Sequence, residues 1–117
     1  MHWSPQALQH ALPGPVTARW PDGERFVRAF ARAGVSVELY APVGTDPQTP
    51  HDEDELYFIV AGMGTIAIDG VEFPFVPGDM FFVAAGIEHR FTRFSEGFAT
   101  WAVFWPPGGV PTRGDSA

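Results

Sequence analysis

The 117-residue sequence contains no cysteine and no lysine. Without a thiol the chain can form neither a disulfide nor a thiolate metal site, and without a lysine amine it cannot form a Schiff base. All seven basic residues are therefore arginines, and the formal net charge is −7. Because this charge opposes binding to a polyanion and no basic stripe interrupts it, nucleic acid is not expected as a partner.

Long apolar runs are also missing from the sequence. No stretch approaches the ~18 consecutive apolar residues that indicate a transmembrane helix. The N-terminus does not begin with basic residues followed by an apolar segment, which is the pattern of a signal peptide. We therefore expect a cytoplasmic protein without a membrane partner.

Turn-forming and aromatic residues, in contrast, are abundant. The chain has 13 glycines and 12 prolines, and 15% of its residues are aromatic. This composition is typical of many short strands joined by tight turns, so it predicts an all-β fold. The length suits one domain with one core. We divide the chain into an N-terminal helix and arm (1–20), a barrel (21–106) and a loose C-terminal tail (107–117).

Local patterns predict the individual elements. Ser4 and Pro5 form a helix-start signal, which predicts a short helix over residues 6–12. Asp69-Gly70 is a two-residue hairpin signal. Alternating or continuous apolar runs between turn signals predict strands at 26–32, 35–41, 55–60, 65–68, 71–76, 80–85, 89–94 and 98–105.

Two histidines and a glutamate are the candidate metal ligands. In one straight strand His51 and Glu55 would lie about 13 Å apart, too far to share an ion. If the acidic residues 52–54 form a turn instead, the two side chains can converge, and the carboxylates of that turn remain solvated. His89 follows another apolar run. Two imidazoles and a carboxylate suit iron, zinc, manganese or nickel, although a surface ion pair and a hydrogen-bonded strand histidine would also explain these residues.

The spacing of these residues resembles the first motif of the cupin family. That motif has a Gly, a His-x-His pair, a Glu three or four residues later and a final Gly. His51, Glu55 and Gly62 match the second His, the Glu and the last Gly, while Thr49 stands in place of the first His. The opening Gly falls on Val43, with a glycine beside it.

The second cupin motif is matched in part. Gly78, Gly86 and His89 occupy its two glycine positions and its histidine, while Ala84 replaces the proline and Arg93 the asparagine. The resemblance covers residues 43–93. It implies an all-β cupin double-stranded β-helix, or jelly-roll barrel, with a short N-terminal helix. It also implies a divalent transition metal (Fe, Mn, Zn or Ni) held by the two histidines and the glutamate.

Four further residues are candidates for substrate binding. Tyr57 and Ile59 have the same strand parity as Glu55 and are expected inside the barrel, where Tyr57 could equally be plain core. Thr49 is expected near the position of the missing first histidine. Arg93 shares the parity of His89 and could bind a substrate carboxylate, although a salt bridge at the rim is the alternative.

These features leave three classes of function open. Cupins with such sites are oxygenases, isomerases, decarboxylases or lyases that act on small organic molecules, and other barrels bind a small molecule without chemistry or serve mainly in association.

Strands 55–60 and 80–85 have apolar residues of both parities, and a single barrel buries only one face of each. We therefore also expect a homodimer through one sheet face.

Overall fold

The computed structural model describes residues 1–108, so residues 109–117 of the predicted tail lie outside the described part of the chain. Eight strands follow one short helix. The elements are α1 (Pro5–Gln9), β1 (Phe26–Arg32), β2 (Val35–Tyr40), β3 (Asp54–Ala61), β4 (Gly64–Ile68), β5 (Val71–Phe75), β6 (Met80–Val83), β7 (His89–Phe94) and β8 (Ala99–Trp105).

The strands form two antiparallel sheets. One sheet has five strands in the order β1-β2-β8-β3-β6, and the other has three in the order β5-β4-β7. Consecutive strands such as β4 and β5 pair through a hairpin, whereas β8 returns from the end of the chain to lie between β2 and β3. The expected all-β jelly roll is confirmed, and the predicted strand ends agree with the structure to within two residues.

Alternation along the strands places one apolar face inside the barrel. In β3, Glu55, Tyr57 and Ile59 are buried while Phe58 is exposed, as a period of two requires. An aromatic cluster fills the interior, in which Phe91 and Phe98 have ring centroids 4.7 Å apart. The buried acidic residues Asp46 and Glu55 and the buried His89 lie outside this cluster.

The helix α1 covers part of the outer face of the larger sheet. The hydroxyl of Ser4 accepts a hydrogen bond from the Ala7 N–H at 3.2 Å, which is the predicted cap. The helix ends at Gln9, three residues before the predicted end, because the next N–H groups bond to carbonyls three residues back. Leu8 and Leu12 pack on the buried outer side of β2 and β8. Among residues 1–108, no helix has the length and apolar character needed to cross a membrane.

A bulge in β7 changes the side on which its last residues lie. Ile66 of β4 pairs with Phe91, but Thr65 pairs with Arg93, so Thr92 is an extra residue in β7. The predicted alternation therefore fails after Phe91. Arg93 is exposed, and Phe94 packs against the core in its place.

Candidate metal centre

His51, Glu55 and His89 come together at one end of the barrel. Glu55 is near the start of β3, His89 is the first residue of β7, and His51 lies in the loop before β3. The Nε2 atom of His89 is 3.0 Å from Glu55 Oε1, and that of His51 is 3.9 Å from the same oxygen. One ligand atom from each residue lies within 4.8 Å of the others. These distances allow all three side chains to reach a single ion.

Backbone hydrogen bonds hold the loop of His51 against the loop that precedes His89. The Gly86 N–H donates to the His51 carbonyl at 2.7 Å, and the Ala85 N–H donates to the Asp54 carboxylate at 2.9 Å. The chain bends at residues 52–53, but Asp54 already belongs to β3. The bend brings His51 back over Glu55, and the Asp54 carboxylate joins the two loops instead of being only solvated.

The buried atoms of this cluster fit a metal ion. The Nδ1 atom of His89 is 2.9 Å from the Ile87 carbonyl and donates to it, so in the neutral ring the lone pair is on Nε2. That lone pair faces Glu55 Oε1. With the ring neutral, neither buried atom has a hydrogen-bond partner among the described residues, although only 3.0 Å separates them. A cation between the two atoms would satisfy both, and imidazole and carboxylate are ordinary ligands of divalent transition metals.

A proton can take the place of a cation at His89. Burial alone would lower the pKa of His89. When the ring is protonated, however, it donates hydrogen bonds to the Glu55 carboxylate and to the Ile87 carbonyl, and these two bonds raise the pKa overall. Protons therefore compete with a metal for His89 Nε2, and metal binding at this site releases a proton when the ring begins protonated.

Gln48 lies where sequence reasoning placed Thr49. The Thr49 side chain is exposed and does not line the cavity. The Gln48 Oε1 atom instead is 3.4 Å from His51 Nε2 and accepts a hydrogen bond from the Tyr57 hydroxyl at 3.0 Å. Nothing in the pattern of the 42–50 loop predicted this residue, because the loop has no periodicity to indicate which side chains turn inward.

The remaining substrate-binding candidates differ in position. Tyr57 is fully buried and its hydroxyl donates to Gln48 beside the cluster; burial together with the Glu55 carboxylate raises its pKa well above the usual range, so it stays a proton donor. Ile59 lies deeper, in the aromatic core. Arg93 is on the exposed side of β7, away from the cavity.

A cavity of about 260 Å³ opens beside the metal centre. Its walls are formed by β1, β2, β8 and the N-terminal arm, and Trp20 and Phe26 provide aromatic surface. Two arginines of this region, Arg19 and Arg28, also line it. The complete lining consists of Arg19, Trp20, Phe26, Arg28, Ser36, Glu38, Tyr40, Gln48, His51, Glu53, Glu55, Ala102 and Phe104.

Glu38 is an unusual acid in the wall of this cavity. Burial, followed by repulsion from Glu55, raises its pKa from 4.5 to about 7. Arg28 is its cross-strand neighbour, so the two residues face the cavity from adjacent strands. The sequence could have indicated this pair, because the alternation in β1 and β2 puts Arg28 and Glu38 on one face once the two strands are paired in register.

The comparisons with known proteins agree with this architecture. Residues 36–105 match the family model described as a cupin domain. An uncharacterized protein of Streptomyces coelicolor is 36% identical over 84 residues, which are 70% of this chain and 80% of that protein.

Solved structures show the same fold. A candidate mannose-6-phosphate isomerase from Ralstonia eutropha has a TM-score of 0.62 and 25% identity, covering 91% of this chain and 98% of that one. KdgF from Halomonas sp. also has a TM-score of 0.62, with 15% identity over 79% of this chain and 83% of that one. With a family match over more than half of its length and the expected barrel, this chain belongs to the cupin family.

Proposed function

We propose that this cupin binds a divalent transition metal through His51, Glu55 and His89 and acts on a small organic molecule in the adjoining cavity. The observation that carries the proposal is the pair of buried atoms Glu55 Oε1 and His89 Nε2, which face each other at 3.0 Å and, with the ring neutral, have no hydrogen-bond partner within residues 1–108. A bound metal of this kind supplies Lewis-acid polarisation of a substrate oxygen. The protein residues around it determine which molecule enters and where protons move.

The walls of the cavity favour a small molecule with an anionic or polar oxygen group. Arg19 and Arg28 offer guanidinium groups that match a carboxylate or phosphate. Trp20, Phe26 and Phe104 offer apolar surface for a carbon skeleton. A cavity of about 260 Å³ has room for a molecule of metabolite size.

Glu38 favours proton transfer among the reactions open to cupins. Burial raises the pKa of the Glu38 carboxyl, which brings it closer to neutral pH, where a general acid or base can hold or release a proton. Isomerases and lyases require such a group, so we favour these over an oxygenase. The Ralstonia relative, named as a candidate isomerase, agrees with this choice.

The second candidate function is non-catalytic binding or sensing of a small molecule. The same arginines and aromatic walls would hold a ligand without any metal-dependent step. Metal occupancy separates the two candidates, because only the first requires an ion.

We expect about one equivalent of iron, manganese, zinc or nickel per chain, since three ligand atoms lie within 4.8 Å of one another. Elemental analysis of protein purified without a chelating tag measures this content, and protein treated with a chelator and then reloaded with each ion provides the control. A chain that arrives empty and takes up none of the four ions would favour the non-catalytic function.

We also propose that the protein forms a homodimer through the outer face of β3 and β6. Phe58, Met80 and Phe82 lie on this face and are 44%, 57% and 54% exposed. Phe58 pairs with Met80 across the two strands, so the exposed side chains are contiguous. The helix α1 packs against β1 and β2 and leaves these three residues exposed. A second copy of the same face would bury them.

Replacing Phe82 with glutamate is expected to convert the dimer to a monomer, because the substitution places a charge in the apolar contact. Light scattering at micromolar concentration gives the mass. Val71→Glu is the matched control, since Val71 is similarly exposed at 53% but lies on the other sheet. A wild-type protein with the mass of a monomer would refute the dimer.

A further inference from the structure

The metal centre contains a donor atom that the cupin motif does not provide for. Gln48 comes one residue before the position of the missing first histidine. Its Oε1 atom lies 3.4 Å from His51 Nε2, on the cavity side of the cluster. The motif position itself, Thr49, is exposed and points away.

The orientation of the Gln48 amide is fixed by Asp46. The Gln48 Nε2 atom donates to Asp46 Oδ2 at 2.7 Å, and the Gln48 backbone N–H donates to Asp46 Oδ1 at 3.2 Å. The reverse orientation of the amide would place its oxygen against the carboxylate, where neither atom has a proton to share. Asp46 is only 3% exposed and is itself held by the Phe91 N–H at 2.9 Å. The amide oxygen is therefore directed toward His51.

One lone pair of that oxygen is free for a cation. A carbonyl oxygen has two lone pairs, and the single proton of the Tyr57 hydroxyl occupies one at 3.0 Å. The His51 Nε2 atom can either bind a metal or donate a hydrogen bond to Gln48 Oε1. An ion bound to His51 Nε2 would lie beside the second lone pair.

We infer that Gln48 Oε1, and not a side chain at position 49, is the fourth protein ligand of the metal, with Asp46 as the residue that positions it. This inference rests on the proposed metal centre of His51, Glu55 and His89. The ligand set then has two nitrogen and two oxygen donors. Because carbonyl oxygens suit harder ions better than imidazoles do, the set accepts Mn²⁺ as well as Fe²⁺.

The test uses Mn²⁺ as the probe, because water-proton relaxation of the bound ion reports how many waters it retains. A six-coordinate ion with four protein donors keeps about two waters, and one with three keeps about three. We expect about two waters in the wild type and about three in Gln48→Ala and Gln48→Met, together with at least about a tenfold loss of Mn²⁺ affinity. The methionine variant preserves side-chain volume, so its folding is not in question if the alanine variant is unstable.

Thr49→Ala is the matched control, and we expect its affinity and its water count to equal those of the wild type. Three bound waters in the wild type, or an unchanged affinity and water count in both Gln48 variants, would overturn the inference while leaving the three-ligand site intact. A wild-type protein that binds no Mn²⁺ but takes up zinc or nickel would also overturn it, because an amide oxygen beside a carboxylate should accept manganese. A wild type that binds no metal at all would reject the proposed function itself.

Discussion

Replacing His89 with alanine is expected to lower the affinity for Mn²⁺ or Zn²⁺ by at least about 100-fold while the barrel stays folded. The His89 Nε2 atom is one of the three donors of the proposed centre, and its bond through Nδ1 to the Ile87 carbonyl holds that nitrogen against Glu55. Removing the ring leaves the buried Glu55 carboxylate, the half-exposed His51 and the inferred Gln48 oxygen to hold the ion. The fold survives because burial of the aromatic core, and not binding of the ion, provides most of the stability.

Competition with a colorimetric chelator measures this loss of affinity. His10→Ala is the control, since His10 is an exposed histidine just beyond α1. The melting temperature gives an independent readout, because a ligand that binds only the folded state stabilises it by mass action. Metal should raise the melting temperature of the wild type and of His10→Ala but not that of His89→Ala. A His89→Ala protein with wild-type affinity would remove this residue from the centre.

Replacing Asp46 with alanine is expected to reduce the free energy of unfolding by about 3 kcal/mol or more. The Asp46 carboxylate accepts hydrogen bonds from the Tyr40 hydroxyl on β2, from the Phe91 N–H on β7 and from the amide of Gln48. It therefore joins the two sheets and the 42–50 loop. Without it, the buried Tyr40 hydroxyl and Phe91 N–H lose their partner, and each unsatisfied buried group costs about 1–3 kcal/mol.

Urea unfolding of the metal-free protein measures this loss and separates it from metal binding. Asp52→Ala is the matched control, because Asp52 is an exposed acid of the neighbouring loop and should change stability by no more than about 0.5 kcal/mol. Asp46→Asn should fall between the two, since an asparagine keeps one acceptor oxygen. Equal stabilities for Asp46→Ala and Asp52→Ala would show that the carboxylate contributes nothing to the joining of the sheets.

The barrel was predictable from the sequence because its signals are local. Turn residues such as Asp69-Gly70 mark where strands end, and a period of two assigned Glu55, Tyr57 and Ile59 to one face. An acidic bend between His51 and Glu55 allowed the two side chains to converge, and the resemblance to the cupin motif favoured that arrangement over a surface ion pair. Each of these conclusions needs only residues within one or two elements.

The features that sequence reasoning missed depend on geometry between distant elements. The exposed position of Arg93 results from one extra residue in β7, and the bulge is visible only when β4 and β7 are paired. Gln48 and Asp46 lie in a loop without periodicity, so no sequence pattern indicates which of its side chains point into the barrel. Thr49 was assigned to the place of the first histidine because the family spacing counts residues along the chain, whereas a ligand is defined by where its atoms are.

The cavity draws its walls from two parts of the chain, and only one of them lies inside the matched family region. Arg19, Trp20, Phe26 and Arg28 precede residue 36, where the family match begins, whereas His51, Glu55 and His89 lie inside it. Backbone hydrogen bonds of Glu24 with Gly14 and Pro15 close the arm that carries Arg19 and Trp20. Trp20 also packs on the barrel core beside Tyr40, whereas Arg19 is an exposed residue of the cavity rim. Substitution of Arg19 can therefore change which anionic molecule the cavity selects while His51, Glu55 and His89 keep their positions.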